Sequence, residues 1–262
     1  MEDRFAGCLA ELEHRALLPE PCLSAFIVGS VTRGWDNGSS DYDINLICEQ
    51  PWPAQEGMVG LLKLDPPILP IAILHVDGRR WELKYWLDTQ VDQLLAKVSW
   101  EAFEGTRLAG QALTDTEEVF LERLSTCVPL AGPDWVAKRG AQVADSAFGA
   151  FMVTRTLARV DSFLEDAIGQ LGAGDQESAV ISTKMAFSHL VDALLESVGE
   201  YGFYTPKWRA RRMRAAAPGA ISFEDYWAIE TMREYDPADP GAWVSSVIRK
   251  CKRLSMKIEV PG

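Results

Sequence analysis

Along the first half of the chain, apolar positions alternate between helical and strand spacing. Phe5, Leu9, Leu12 and Ala16 recur at helical spacing, which predicts a helix over residues 2–18 that ends at the Pro-Glu-Pro segment 19–21. An apolar run at 24–29 and the alternating stretch YDINLIC at 42–48 predict two strands. ILPIAILHV and RRWELKYWL predict two more, joined through Asp77-Gly78, a strong hairpin signal. Residues 88–98 read as a helix. The segment RLAGQALTDTEEVFLERL reads as a strand end, a turn, and a helix capped by Thr114 or Thr116.

The pattern changes at VPLAGPDWV. Beyond it, residues 136–171 and 176–200 carry helical periodicity, separated by GAGD. TPKWRARRMRAAAPG predicts a short helix with Thr205 as N-cap, Pro206 in the first turn and Pro218-Gly219 as the stop. Further helices are expected near 222–234 and 240–256. The reading is therefore an α/β domain at 1–130 followed by an all-α domain at 131–262, with no internal repeat.

Composition narrows the class. Five scattered cysteines with no CxxC pair and three dispersed histidines point to reduced thiols and away from a disulfide frame or a zinc site. No apolar run approaches the ~20 residues of a membrane span. The first residues are acidic and amphipathic, unlike a signal peptide. A cytoplasmic protein without membrane association is expected, as a monomer or homodimer. The net charge of −12 argues against nucleic-acid binding. It suits a cationic small substrate, and equally a surface whose charge serves only solubility.

The chemistry concentrates in FIVGSVTRGWDNGSSDYDINLI, residues 26–47. Residues two apart on a strand share a face, so Asp41 and Asp43 stand side by side while Ile44, Leu46 and Cys48 point to the core. Two adjacent carboxylates repel unless a cation lies between them, and hard oxygen ligands at this spacing suit magnesium. Gly29 permits close approach of a phosphate to the backbone. The Ser30 N–H and hydroxyl can donate to it, and Arg33 offers a fork of donors. Glu82 is a third acid within the apolar run RRWELKYW, where alternation places Arg80, Glu82 and Lys84 on one face and Trp81, Leu83 and Tyr85 on the other. A turn in which the aspartates only cap or hydrogen-bond locally is the competing reading.

Gly-Ser, ten residues, Asp-x-Asp, then an acid within an apolar strand resembles the nucleotidyltransferase superfamily that includes DNA polymerase beta. SDYDINLI also resembles the form found in small antibiotic-modifying and antitoxin members. The likeness covers residues 24–86. An α/β domain followed by a helical domain is further similar to the aminoglycoside nucleotidyltransferases, in which a mixed-sheet domain is followed by a helical bundle. The resemblance implies two magnesium ions held by Asp41, Asp43 and Glu82. ATP or another nucleoside triphosphate would contact Gly29, Ser30 and Arg33, and the acceptor would be a hydroxyl of a small, aminoglycoside-like molecule. It leaves open transfer to a protein partner, as in antitoxin-type members, and a catalytically dead nucleotide-binding member.

The helical half adds a basic segment. Five of the eight residues from Lys207 to Arg214 are Lys or Arg, and Lys207, Arg211 and Arg214 are spaced to share a helix face. With the helix N-terminus they could meet a triphosphate, Lys207 and Arg211 foremost, or simply form a solvated face. His189, Asp192 and Glu196 lie on one polar helix face, which reads as solvated or as the lining of an acceptor pocket. Trp35 and Trp208 are placed to stack on a base, or to pack as ordinary aromatics.

Overall fold

Six strands form one mixed sheet in the computed structural model, which describes residues 2–53, 58–105 and 113–262. The strands are β1 (Cys22–Val28), β2 (Tyr42–Cys48), β3 (Val59–Leu61), β4 (Ile68–Val76), β5 (Arg79–Leu87) and β6 (Val128–Ala131), and their order across the sheet is β3-β4-β5-β2-β1-β6. The helices are α1 (Cys8–His14), α2 (Asp88–Lys97), α3 (Trp100–Gly105), α4 (Asp115–Leu124), α5 (Pro133–Ala144), α6 (Phe148–Gly172), α7 (Gln176–Glu196), α8 (Arg209–Ala216), α9 (Phe223–Glu230) and α10 (Pro240–Ser255). The chain divides into two units. One holds residues up to 102 and 113–146, and the other 103–105 and 147–262. This is an α/β architecture with a helical part, as the sequence pattern leads one to expect.

In the first unit, Asp77 and Gly78 both take positive φ, 49° and 78°, and turn β4 into β5 as a tight hairpin. β5 then pairs with β2 in parallel, while β1 pairs antiparallel to β2 on its other side. Both central strands are covered on two faces. Ile27, Ile44, Leu46, Leu83 and Tyr85 pack with Phe5 and Leu12. On the opposite face Phe26 and Trp86 meet Phe120 of α4, Trp135 of α5 stacks on Phe26, and the Trp86 indole N–H donates to Asn45 Oδ1 at 3.0 Å.

Thr114, not Thr116, caps α4, in a reciprocal box with Glu117. Glu117 is fully buried, and its carboxylate also accepts from the Lys63 N–H and from Lys97 Nζ, both at 2.8 Å. The strand end expected at the start of that segment lies outside the described residues.

VPLAGPDWV, read as the change of composition at the domain boundary, contains β6. That strand is short and lies at the sheet edge, where a proline such as Pro129 is tolerated. Gly132 follows with φ 60°, and a Cβ there would lie 2.1 Å from the Leu23 carbonyl oxygen. α5 packs against β1 within the first unit.

In the helical unit, α6 and α7 pair along their length, and α10 packs on α7. Leu190, Val191, Leu194 and Leu195 pack with Val244, Val247 and Cys251 in one core. Within this core lies the main departure from the sequence reading. His189, Asp192 and Glu196 do not form a solvated face. Asp192 is 1% exposed and is gripped by Arg209 (Nε–Oδ1 3.0 Å, Nη2–Oδ2 2.8 Å) and Arg212 (Nη2–Oδ1 2.9 Å). Glu196, equally buried, faces Arg155 at 3.7 Å. His189 stacks between Phe163 and Phe203. Burial pushes its pKa down; Asp192 opposes this, and Arg159, Arg209 and Arg155 reinforce it. The polar positions recur at helical period because they face buried arginines from α6 and α8.

Breaking a buried ion pair strands its partners. Asp192→Ala leaves two buried guanidinium groups without the carboxylate they share, and should lower the unfolding free energy by about 3–5 kcal/mol in urea titration. Lys207→Ala, at an exposed position, should change it by no more than about 0.5 kcal/mol.

Candidate functional site

β1 ends at Val28, whose partner across the ladder is Asp43. Gly29 takes φ 92°, and a Cβ there would lie 3.0 Å from Asp43 Oδ2. The residue is glycine both for its backbone conformation and for the carboxylate beside it. The chain then curls through one tight turn. Thr32 donates to the Gly29 carbonyl through both N–H (3.3 Å) and hydroxyl (2.9 Å), and the Ser30 carbonyl accepts from the N–H groups of Arg33 (3.3 Å) and Trp35 (2.9 Å). The Arg33 guanidinium carbon lies 3.8 Å from the centre of the Trp35 ring, so that indole already carries a cationic partner. Asn37 makes the return: its side-chain oxygen accepts from the Ser39 N–H at 3.0 Å, and Ser40 Oγ accepts from the Asn37 N–H at 3.0 Å. The next residue is Asp41.

The three predicted acids come together. Asp43 and Glu82 are direct partners in the parallel ladder of β2 and β5, so their side chains emerge on one face. Asp41, just before β2, shares one guanidinium with Glu82: Arg80 Nη1 lies 2.6 Å from Asp41 Oδ2, and Nη2 lies 2.8 Å from Glu82 Oε2. Lys84 Nζ lies 2.9 Å from Glu82 Oε1. From α4, Arg123 Nη1 approaches Asp43 Oδ2 at 3.4 Å. All six side chains are partly open to solvent. They continue the sheet face on which Asn45 and Trp86 meet α4, at the end where the Gly29-Ser30 turn begins.

The sequence reading placed Arg80 and Lys84 on the face of Glu82 but gave them no part in the site, and it missed Arg123. Strand alternation already places Arg80 and Lys84 beside Glu82, so two of the three are detectable as an Arg-x-Glu-x-Lys face. Arg123 comes from α4, 80 residues beyond its partner Asp43, and has no local signal.

Glu82 feels opposing effects. Burial pushes its pKa up, but the hydrogen bond and charge of Lys84, followed by those of Arg80, outweigh it, and the carboxyl titrates below its ordinary range. Arg80 is held more firmly protonated, first by Asp41 and then by Glu82.

Three carboxylates, two of them bridged by Arg80 and the third approached by Arg123, offer oxygen donors of the kind a hard divalent cation takes, and the cations seated there are side chains. In this arrangement no group of three or more His, Cys, Asp or Glu among the described residues is placed to hold a metal ion. Carboxylate oxygens are the donor type that magnesium takes, and here they are paired with Arg80, Lys84 and Arg123.

Lys207 and Arg211 belong to the helical unit. The basic segment is not one helix face. Lys207 lies in a 3₁₀ turn, Pro206–Trp208, ahead of α8, which begins only at Arg209. Lys207 and Arg211 are exposed and both flank the Trp208 ring, at 5.6 and 5.2 Å. Arg214 covers Phe223 at 3.5 Å, while Arg209 and Arg212 turn inward to Asp192.

No protein-family model and no curated protein matches the chain. Solved structures do. One is a crystal structure of a nucleotidyltransferase-like protein from Exiguobacterium sibiricum 255-15, with a TM-score of 0.51 and 11% sequence identity, covering 96% of this chain and 74% of that one. The chain thus shares the fold of that structure. Among the described residues no helix is long and apolar enough to cross a membrane.

Gly29→Ala should lower stability by roughly 1–3 kcal/mol, the strain of a side chain at this φ, and displace the Asp43 carboxylate. Thermal unfolding reads the first effect and a crystal structure of the variant the second. The depressed pKa of Glu82 has a defined sign. Its contribution to stability is complete above the unfolded glutamate value and is lost as pH falls through the lower folded value. Below about pH 4.5 the wild-type melting temperature should therefore fall more steeply than that of Glu82→Gln.

Proposed function

We propose that the protein is a magnesium-dependent nucleotidyltransferase. It would move a nucleoside monophosphate, AMP for preference, from a nucleoside triphosphate to a hydroxyl of a small cationic acceptor of the aminoglycoside kind. The observation that carries this reading is the convergence of Asp41, Asp43 and Glu82 beside the Gly29-Ser30 turn, in a nucleotidyltransferase-like fold. In the reaction the acceptor oxygen bonds the α-phosphorus, the bond to the bridging oxygen of the β-phosphate breaks, pyrophosphate leaves with its electron pair, and the hydroxyl proton passes to solvent.

Asp41, Asp43 and Glu82 would hold the metal. Bound there, magnesium would neutralise phosphate charge and lower the pKa of the acceptor hydroxyl. The chain's own groups would do the positioning. The open backbone at Gly29 and the Ser30 N–H and hydroxyl would bind the β- and γ-phosphates, with Arg33 beside them. A carboxylate titrating below its ordinary range is a weak proton acceptor at neutral pH, so Glu82 suits cation binding better than general-base work.

A second reading is supported by the three cationic side chains on the acids: a member that binds nucleotide without turning it over. Pyrophosphate release separates the two. Each of the four triphosphates with magnesium is incubated with a panel of aminoglycosides and other polyols. Release with at least one pair, lowered by at least about two orders of magnitude in Asp43→Asn and Glu82→Gln, is the expected result. Nucleotide binding with no release across the panel favours the second reading, and neither binding nor release overturns both.

A further inference from the structure

The guanidinium of Arg80 occupies the position between two of the acids that a cation takes in the proposed reaction. It makes two charge-assisted hydrogen bonds, 2.6 Å to Asp41 and 2.8 Å to Glu82. Lys84 takes the second oxygen of Glu82, and Arg123 faces Asp43. Three carboxylates therefore meet three cations, and the cluster carries no net charge of its own. A free divalent ion is not drawn in by charge, and must displace hydrogen-bonded partners to reach oxygen.

Arg80 also has somewhere to go. It sits on β5 at the mouth of the site, with its side chain about one-third exposed, and it lies two residues beyond the Asp77-Gly78 turn. The two nitrogens that Arg80 gives to two carboxylates can instead bind one phosphate as a bidentate fork. A metal–triphosphate thus brings both what the acids need and what Arg80 needs, whereas a bare metal ion brings only the first.

We infer that Arg80, supported by Lys84, is an internal counter-cation that keeps free divalent metal out of the acid cluster and passes to the phosphates when a metal–triphosphate binds. The inference rests on the nucleotidyltransferase reading. It makes metal binding depend on nucleotide, and it gives a residue outside the Gly-Ser and Asp-x-Asp motifs control over the order of binding.

The test is a titration of full-length protein with Mn²⁺ alone, followed by electron paramagnetic resonance of the free ion. A second titration uses Mn²⁺ with α,β-methylene-ATP. Arg80→Gln should bind Mn²⁺ alone at least about tenfold more tightly than wild type, the size of one lost charge-assisted hydrogen bond. It should bind the Mn²⁺–nucleotide complex more weakly. Adding Asp41→Asn to Arg80→Gln should abolish the gain. Circular dichroism identifies folded variants, and if Arg80→Gln does not fold, Lys84→Gln decides by the same criterion. Equal affinity for Mn²⁺ alone in wild type and variant, with metal–nucleotide binding intact, overturns the role of Arg80 and leaves the proposed function standing. Absence of metal–nucleotide binding in wild type and variant alike overturns both.

Discussion

The site depends on one pairing: the parallel register that sets Glu82 of β5 opposite Asp43 of β2. Side chains on a strand alternate, so a slip of one residue would turn Glu82 into the core and bring Trp81 or Leu83 out in its place. The register is locked from both sides. Trp81, Leu83 and Tyr85 are buried in the cluster that holds Ile44 and Leu46, and Trp86 is hydrogen-bonded to Asn45 on the opposite face. The Asp77-Gly78 hairpin fixes β4 against β5, with Ile73 opposite Glu82. Packing that requires three apolar residues inside thereby sets Arg80, Glu82 and Lys84 outside, beside the turn where Gly29 makes room for Asp43.

Charge is handled in the same way in both units. Net charge describes the surface field and says little about the clusters, where each acid is met by cations. In the α/β unit Asp41, Asp43 and Glu82 share Arg80, Lys84 and Arg123 in a partly open setting. In the helical unit Asp192 holds two arginines in a closed one. The difference in exposure separates their consequences. Buried pairs around Asp192 are structural, since no ion or substrate reaches them without unfolding the core. The pairs around Glu82 lie within reach of solvent, where partners exchange.

The frame of the fold is legible in the sequence because its central elements obey simple periods. YDINLIC is β2 residue for residue, and the two runs flanking Asp77-Gly78 are β4 and β5. The approach of Asp41, Asp43 and Glu82 is legible for the same reason, since alternation and a hairpin place them. What escapes is set by partners distant in sequence. β6 is four residues long and contains a proline, so it reads as a linker until β1 supplies its ladder. Polar positions at helical period on α7 read as a wet face because periodicity shows which residues share a side and not what lies against that side. Arg155, Arg209 and Arg212 supply that answer from other helices. The basic segment misleads in the reverse direction: two of its arginines serve the core, and Lys207 lies outside the helix.

The central claim is that these three carboxylates receive a metal–triphosphate. Crystals grown with Mn²⁺ and α,β-methylene-ATP, measured for anomalous scattering at the manganese edge, address it directly. The account predicts anomalous density within about 2–2.6 Å of carboxylate oxygens of Asp41 and Asp43, phosphates over the Gly29-Ser30 turn, and Arg80 turned away from Asp41 toward them. Nucleotide bound elsewhere, with Arg80 still bridging Asp41 and Glu82 and no manganese at the acids, would contradict it.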